Sequence, residues 1–281
     1  MDMSKRVLFP TDFSDCANKA MQYLKDLKAA GLEEIIFIRV INLTKLVGVT
    51  SGFDIDSWIR QEEEESKKKL EDLVRLTRGI GLKAKYITPI PAGDPVSEIV
   101  KAAEKEDVSL ILMASRGKGL LKEILLGSVS EGVIRRATRP IIVVKVKKKD
   151  GECALPVEKL FSKVLYTHDL SEYSYKISEY VKHFALSGGR DVVLLHVREE
   201  KERESMEKLQ QIKREFEESG IKVKVVIRDG VPYKQIIKVA KEENATLIMM
   251  GSRGLGFVEG MLGSTTDAVI RHSDLPVFVH H

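Results

Sequence analysis

The chain has 281 residues, of which 43% are hydrophobic and 31% are charged. Because domains usually hold about 100 to 200 residues, this length predicts two globular domains, each with its own core. The formal charge of +4 is the balance of 46 basic and 42 acidic residues. Such a mixed surface argues against a basic field that grips nucleic acid, so we expect no nucleic-acid partner.

No apolar stretch approaches the roughly 18 residues of a membrane span, and residues 1–6 lack the apolar segment of a signal peptide. The sequence therefore predicts a cytoplasmic protein without a membrane partner. Two cysteines occur, Cys16 and Cys153, with no Cys-x-x-Cys pair. We therefore expect no disulfide framework to hold the fold.

Short β-branched runs alternate along the chain with longer helical patterns, which is typical of a parallel sheet with crossover helices. The runs predict five strands in the first part of the chain, at residues 6–9, 34–41, 83–90, 109–114 and 141–146. Five more are predicted at residues 163–167, 191–197, 222–228, 246–251 and 276–280.

The alternating pattern also contains helix-start signals and one insertion. Ser14, Ser128 and Ser264 are predicted N-caps, and Pro95 and Pro232 are expected near the first turns of their helices. Residues 42–56 form an insertion after the second strand that the later part of the chain lacks. A loop of this length often acts as a lid or an interface.

Three segments of the chain occur twice in the same order. VLFPTDFS at residues 7–14 returns as VLYTHDLS at 164–171, LILMASRG at 110–117 returns as LIMMGSRG at 247–254, and Gly127-Ser128 returns as Gly263-Ser264. The duplication predicts an N-terminal repeat (residues 1–147), a linker (148–158) and a C-terminal repeat (159–281).

The ends of the repeats carry two further expectations. The basic run Lys145, Lys147, Lys148 and Lys149 is interpreted as the solvated start of the linker. The last strand of each repeat is an apolar edge, which invites pairing, so we expect the two last strands to meet at a pseudo-two-fold interface within the chain.

Candidate ligand-binding residues fall where parallel strands end, which is where open α/β sheets bind ligands. Asp12 and Asp169 end the first strands, and Val40 and Val197 end the second strands. Each fourth strand runs into a glycine-rich loop that leads to a helix start, where free N–H groups and the positive dipole end suit phosphate. For a single loop, turn glycines and capping serines would be the simpler interpretation; the complete pattern favours a ligand site.

The complete pattern resembles a known family. Pro10-Thr11-Asp12-Phe13-Ser14, Val40, and Ala114-Ser115-Arg116-Gly117 followed after nine residues by Gly127-Ser128 look like the universal stress protein domain and its G-x-x-G-x9-G-[ST] nucleotide loop. The resemblance covers both repeats. It implies two five-stranded, parallel-sheet α/β domains, Rossmann-like and similar to the adenine nucleotide alpha hydrolases, that pair through their last strands. It also implies ATP or AMP as ligand, with Mg²⁺ or Mn²⁺ carried on the phosphates.

The family's binding positions carry over to both repeats. Asp12 and the Val40 backbone would hold the nucleoside end, and the glycine-rich loop would hold ribose and phosphates. In the N-terminal repeat the implied residues are Pro10, Asp12, Val40, Ala114, Gly117, Gly127, Ser128 and Ser130. In the C-terminal repeat they are Asp169, Val197, Gly251, Gly254, Gly263, Ser264 and Thr266. None of them is expected to be a protein ligand of a metal.

Each repeat departs from the family's motif at one point. Ala114 stands where the motif begins with glycine, which adds one methyl group beneath the ligand. Gly254 and Gly263 are separated by eight residues instead of nine, which shifts the phosphate cradle. We therefore rank the N-terminal site slightly above the C-terminal one.

Other chemistries fit less well. The chain has no G-x-x-x-x-G-K-[ST] loop, and Lys122 and Glu259 occupy the third glycine position of a dinucleotide motif. Ser187-Gly188-Gly189-Arg190-Asp191 imitates the loop of ATP pyrophosphatases but precedes a second strand, so it is interpreted as a helix C-cap turn. His168 and His196 lack a third ligand and are interpreted as a polar contact.

Three functions remain open from the sequence. The first is a nucleotide-binding stress or signalling module that is not an enzyme. The second is a slow ATP-hydrolysing switch, and the third is a tandem scaffold with vestigial sites that acts through protein partners. A homodimer of the whole chain is a further expectation.

Overall fold

The computed structural model describes residues 3–46, 54–116, 126–149, 152–198, 205–252 and 262–280. In the N-terminal repeat and the linker the strands are β1 (Arg6–Pro10), β2 (Glu34–Ile38), β3 (Ile41–Asn42), β4 (Lys83–Tyr86), β5 (Ala92–Gly93), β6 (Leu110–Arg116), β7 (Ile141–Lys149) and β8 (Glu152–Ala154). In the C-terminal repeat they are β9 (Val164–Thr167), β10 (Asp191–Arg198), β11 (Lys222–Asp229), β12 (Leu247–Gly251) and β13 (Val277–His280).

Helices connect the strands as crossovers. In the N-terminal repeat they are α1 (Asp15–Ala20), α2 (Leu24–Ala29), α3 (Ile55–Gly79), α4 (Pro95–Lys105) and α5 (Ser128–Arg136). In the C-terminal repeat they are α6 (Glu172–Lys176), α7 (Ser178–Leu186), α8 (Ser205–Glu218), α9 (Pro232–Glu242) and α10 (Ser264–His272). Among the described residues no helix is both long and apolar enough to span a membrane.

The described strands form one large sheet in the order β11-β10-β9-β12-β13-β7-β6-β1-β2-β4, with β8 paired to β7, and a small second sheet of β3 and β5. All neighbours within a repeat are parallel along this order. The two five-stranded parallel sheets predicted from the sequence are thereby confirmed. In each repeat the strand order reverses beside the first strand, between β1 and β6 and between β9 and β12.

Helices cover both faces of the sheet. One face carries α1, α2, α3, α7 and α8, whose buried side chains include Leu27, Leu70 and Phe184. The other face carries α4, α5, α9 and α10, whose buried side chains include Ile99 and Val269. Strands with apolar residues on both faces, such as β6, are what a sheet covered on both sides requires.

The helix starts agree with the sequence in part. Ser14 is the N-cap of α1, and its hydroxyl accepts a hydrogen bond from the Ala17 N–H, as predicted. Pro95 and Pro232 begin α4 and α9. The N-cap prediction for Ser128 and Ser264 was wrong, because Gly127 and Gly263 are the caps and each serine is the first helical residue.

The two repeats meet through their last strands, which pair antiparallel with Phe278 opposite Ile142. This pairing confirms the predicted pseudo-two-fold contact. Beside it, α5 and α10 exchange ion pairs in a reciprocal way. Glu131 accepts from Arg271 at 2.6 Å, and Asp267 accepts from Arg135 at 3.2 Å. Since both edges are apolar, the pairing leaves neither last strand exposed as a free edge.

The basic run at the start of the linker is only partly solvated. Lys145 is 2% exposed within β7, and its ammonium group donates to the Ser115 hydroxyl at 3.3 Å. Burial, with the nearby Arg271 charge, lowers the pKa of Lys145 to about 8. The interpretation of Lys145 as a solvated linker residue was therefore wrong, whereas Lys147 is half-exposed and pairs with Asp274.

The segment after β7 is docked on the N-terminal repeat. The Tyr23 hydroxyl donates to the Val157 carbonyl at 2.7 Å, and the Leu160 N–H donates to the Asp26 carboxylate at 2.7 Å. A disulfide joins Cys16 on α1 to Cys153 on β8 across 137 positions of sequence. The sequence did not predict this bridge, since the two cysteines were expected to take no part in holding the fold.

Reducing this disulfide should destabilise the protein. A bridge that closes so long a loop restricts the unfolded chain and typically contributes about 2–4 kcal/mol. We expect a reductant to lower the midpoint of denaturant unfolding of the wild type. A Cys153→Ala variant should match the reduced wild type and no longer respond to reductant. Equal midpoints with and without reductant would contradict a stabilising bridge.

Candidate functional site

A cavity of about 450 Å³ opens at the carboxyl edge of the N-terminal repeat, where the strand order reverses. It is formed by the ends of β1, β2 and β6 together with the starts of α1, α3, α4 and α5. Its lining includes six predicted site residues, namely Pro10, Asp12, Val40, Ala114, Ser128 and Ser130. Gly127 caps α5 directly before Ser128. Gly117 lies outside the described residues.

Asp12 is presented to this cavity by a tight turn after β1. Phe13 has a positive φ of 61°, a left-handed conformation that side chains other than glycine adopt only when local contacts support it. The Thr11 hydroxyl accepts from the Phe13 N–H, and Asp12 Oδ1 accepts from the Ser14 N–H, each at 3.0 Å. This turn leaves Asp12 exposed at the cavity.

The N-terminus of α5 also lies at the cavity. Gly127 and Ser128 are exposed, whereas Ser130 is 8% exposed. The first N–H groups of a helix have no partner within it and carry the positive end of its dipole, so this end suits an anion such as phosphate.

Besides the turn at Asp12 and the start of α5, the cavity has a wall that was not predicted from the sequence. Trp58 and Glu62 from α3 line the cavity together with Arg39 and Asn42. Arg39 and Glu62 form an ion pair at 3.8 Å. These residues belong to or flank the insertion at residues 42–56, which the sequence predicts as a lid or interface without identifying its side chains.

The equivalent turn in the C-terminal repeat is locked by its own side chains. Leu170 has a φ of 63°, so the backbone repeats that of Phe13. Asp169 Oδ1, however, accepts from the Ser171 N–H at 3.0 Å and from the Ser171 and Ser174 hydroxyls at 2.5 Å each. Position 174 corresponds to Ala17 in the N-terminal repeat. Asp169 is accordingly half-buried, whereas Asp12 is exposed.

The other predicted residues of the C-terminal site are also more enclosed than their counterparts. Gly251 and Gly263 are buried, whereas Ala114 and Gly127 are half-buried and exposed. The Thr266 hydroxyl donates to the Gly251 carbonyl at 3.0 Å. Val197 is half-buried, Ser264 is exposed, and Gly254 lies outside the described residues. The ranking of the N-terminal site above the C-terminal one stays a prediction.

The histidine pair forms a polar contact, as interpreted from the sequence. His196 Nδ1 donates to the His168 carbonyl at 2.7 Å, and His168 Nδ1 accepts from the Leu170 N–H at 3.0 Å. Burial lowers the pKa of His168 to about 4, which keeps its imidazole neutral. Within the described ranges no group of three or more His, Cys, Asp or Glu side chains could hold a metal ion.

The Ser187-Gly188-Gly189-Arg190 segment is a packing turn. Ser187 is the C-cap of α7, and Arg190 has a positive φ of 52°. A Cβ atom at Gly188 or Gly189 would lie 2.1 or 1.9 Å from the carbonyl oxygens of Phe161 and Ser162. These glycines are therefore required by close backbone approach, in agreement with the C-cap interpretation.

The strand order and the crevice at its reversal define a duplicated, Rossmann-like α/β protein. The family model for the universal stress protein family matches residues 3–145 and 160–281. The crystal structure of a universal stress protein from Archaeoglobus fulgidus is similar over 99% of this chain and 98% of that chain, with a TM-score of 0.82 and 39% identity.

Two curated relatives show the same likeness in sequence. A universal stress protein of Methanocaldococcus jannaschii is 40% identical over 159 residues, which cover 52% of this chain and 97% of the relative. One from Mycobacterium tuberculosis is 24% identical over 245 residues, covering 80% of this chain and 79% of the relative. The chain belongs to the universal stress protein family, with two copies of its domain.

The buried His168 should make stability depend on pH. Its pKa is about 4 when folded and about 6.5 when unfolded, so the unfolded state binds the proton first. Its contribution is complete above about pH 6.5 and is lost as pH falls toward about 4. We expect a loss of about 2 kcal/mol between about pH 7 and about pH 5.

The variant His168→Thr isolates this contribution. Threonine stands at the equivalent Thr11, where it accepts the same turn hydrogen bond, and it does not titrate. Denaturant unfolding should show a wild-type stability that falls more steeply with acid than that of the variant. Parallel pH curves would mean that His168 titrates normally when folded.

Proposed function

We propose that the chain binds an adenine nucleotide, ATP or AMP, in the cavity of the N-terminal repeat and serves as a stress-response or signalling module. The observation that carries the proposal is the convergence of Asp12, Val40 and the α5 N-terminus on one cavity of about 450 Å³. Ligand pockets of small molecules usually lie between about 300 and 1,000 Å³. The space is therefore suited to a nucleotide.

The cavity has two chemically different ends. Asp12 offers an exposed carboxylate, which accepts hydrogen bonds from hydroxyl groups such as those of ribose. The α5 N-terminus offers N–H donors and the Ser128 and Ser130 hydroxyls, which suit phosphate. A nucleoside at Asp12 and Val40 with phosphates toward Ser128 places each group opposite its complement. Mg²⁺ or Mn²⁺ would be carried on the phosphates.

Replacing Asp12 tests the nucleoside end. We expect Asp12→Ala to weaken ATP or AMP binding at least about tenfold, or about 1.4 kcal/mol, as measured by calorimetry. The matched control is Asp169→Ala in the C-terminal repeat. It removes the acceptor of three local hydrogen bonds and should lower stability without changing affinity. Weaker binding in the control and normal binding in Asp12→Ala would place the ligand in the C-terminal repeat.

Replacing Gly127 tests the phosphate end. Among the described residues, a Cβ atom at Gly127 would meet only the Ser130 hydroxyl oxygen, at 4.0 Å. The φ of −58° at Gly127 suits any residue. Gly127→Val should therefore fold normally but crowd the phosphates, with at least about tenfold weaker binding. Unchanged affinity beside a native circular dichroism spectrum would show that the phosphates lie elsewhere.

The alternatives differ from this proposal in measurable ways. A scaffold with vestigial sites would give no calorimetric signal with ATP, ADP or AMP. A slow switch would bind ATP and also release phosphate over time. We propose a binding module over a switch because the sequence carries no P-loop lysine.

Assembly and location remain predictions. We expect the chain to pair into a homodimer, giving four domains, and to reside in the cytoplasm. Light scattering tests the first expectation directly. A mass of 31.6 kDa at high concentration would show that the chain is a monomer.

A further inference from the structure

The helix α3 has two roles along its length, because its C-terminal part packs against the core and its N-terminal part lines the cavity. Toward its C-terminal end, Leu70 and Val74 are buried in the core, and one turn earlier Ser66 is 3% exposed. Four and eight residues before Ser66, Glu62 and Trp58 both line the cavity. The helix that packs against the core with its C-terminal part therefore forms a wall of the cavity with its N-terminal part.

This part of α3 belongs to the N-terminal repeat alone. The helices α3 and α8 end in the same way, each followed by a glycine with positive φ, Gly81 at 77° and Gly220 at 78°. Counted back from these glycines, Ser66 corresponds to Ser205. The first repeat has residues 41–65 between Val40 and Ser66, whereas the second has only 198–204 between Val197 and Ser205. The second repeat therefore has no residue equivalent to Trp58.

Trp58 is half-buried and lines the same cavity as Val40 and Asn42, which follow β2 in the chain. Its helix is fixed at this point because the Asp54 side chain caps α3 by accepting from the Ser57 N–H at 3.0 Å. Around the tryptophan, Arg39 and Glu62 pair with each other at 3.8 Å. Trp58 therefore lines the cavity together with the ion-paired Arg39 and Glu62.

We propose that Trp58 is the base-contacting residue of the N-terminal site, stacking its indole on the nucleobase. The proposal rests on the proposed nucleotide binding and adds to it the residue that holds the base. A flat heterocycle gains about 1–3 kcal/mol by stacking on an aromatic side chain. The α5 N-terminus takes the phosphates at one end of the cavity, so the base lies toward the wall built by α3 and the end of β2.

Trp58 is the chain's only tryptophan, so its fluorescence reports on this wall alone. We expect ATP to quench the tryptophan emission of the wild-type chain along the same saturation curve that calorimetry gives. Inorganic triphosphate, which lacks a base, should leave the emission unchanged. An emission that ATP saturation does not alter would overturn the stacking contact.

Calorimetry on three variants completes the test. Trp58→Ala should bind ATP at least about fivefold more weakly, and Trp58→Phe should restore affinity to within about threefold of wild type. Leu76→Ala is the matched control, because Leu76 lies on the same helix and is 66% exposed; it should bind as wild type. Circular dichroism should confirm that all three fold.

The outcomes distinguish a failure of the stacking role of Trp58 from a failure of the proposed nucleotide binding. If the wild type binds ATP while Trp58→Ala binds equally well, the stacking role is wrong and nucleotide binding stands. If Trp58→Ala and Trp58→Phe weaken binding equally and ATP leaves the wild-type tryptophan emission unchanged, Trp58 only packs the helix and the proposal is likewise wrong. If the wild type shows no heat with any adenine nucleotide, the proposed function fails and the stacking role fails with it.

Discussion

The antiparallel pairing of β7 with β13 determines how the rest of the molecule is arranged. It joins two parallel half-sheets into one sheet and covers an apolar edge of each. Because the two strands run in opposite directions, the carboxyl edges of the two half-sheets point to opposite sides of the molecule. The two potential sites therefore lie at opposite edges of the sheet. The helices α5 and α10 nevertheless lie close enough for Glu131 and Asp267 to pair with arginines of the other helix.

Within this symmetric frame the two repeats have diverged at the turn after the first strand. The backbone is the same in both, with positive φ at Phe13 and Leu170. The side-chain hydrogen bonds of the two aspartates in these turns differ. Ser174 donates to Asp169, whereas the equivalent Ala17 has no hydroxyl. The additional hydroxyl at position 174 thus accompanies a half-buried Asp169, whereas Asp12 is exposed at the cavity.

The sequence predicted those features that local periodicity and duplication determine. All ten strands along the order of the large sheet were expected, since short β-branched runs are a strong local signal. The small sheet of β3 and β5 was not expected. The helix caps at Ser128 and Ser264 were placed one residue late. The preceding glycines adopt an extended conformation, with φ −58° and ψ 141° at Gly127. The presence of a glycine in the sequence does not indicate which backbone conformation it adopts.

Features that depend on distant contacts were not predictable in the same way. Cys16 and Cys153 are 137 positions apart, and only the docking of the linker on α1 brings them together. Lys145 belongs to a run of lysines that looks solvated, yet strand pairing buries it beside Ser115. Six of the carried-over site residues of the N-terminal repeat do line one cavity, while Trp58 and Glu62 needed the position of α3 to be recognised.

The linker is part of the N-terminal site's surroundings as well as a connection between the repeats. Cys16 lines the cavity on α1 and is bonded to Cys153 on β8, whose partner strand β7 forms the interface with the other repeat. A covalent and hydrogen-bonded path therefore runs from the cavity wall through β8 and β7 to β13. Since α1 begins directly after the turn that presents Asp12, the disulfide ties the helix that follows Asp12 to β8, which pairs with the far end of β7.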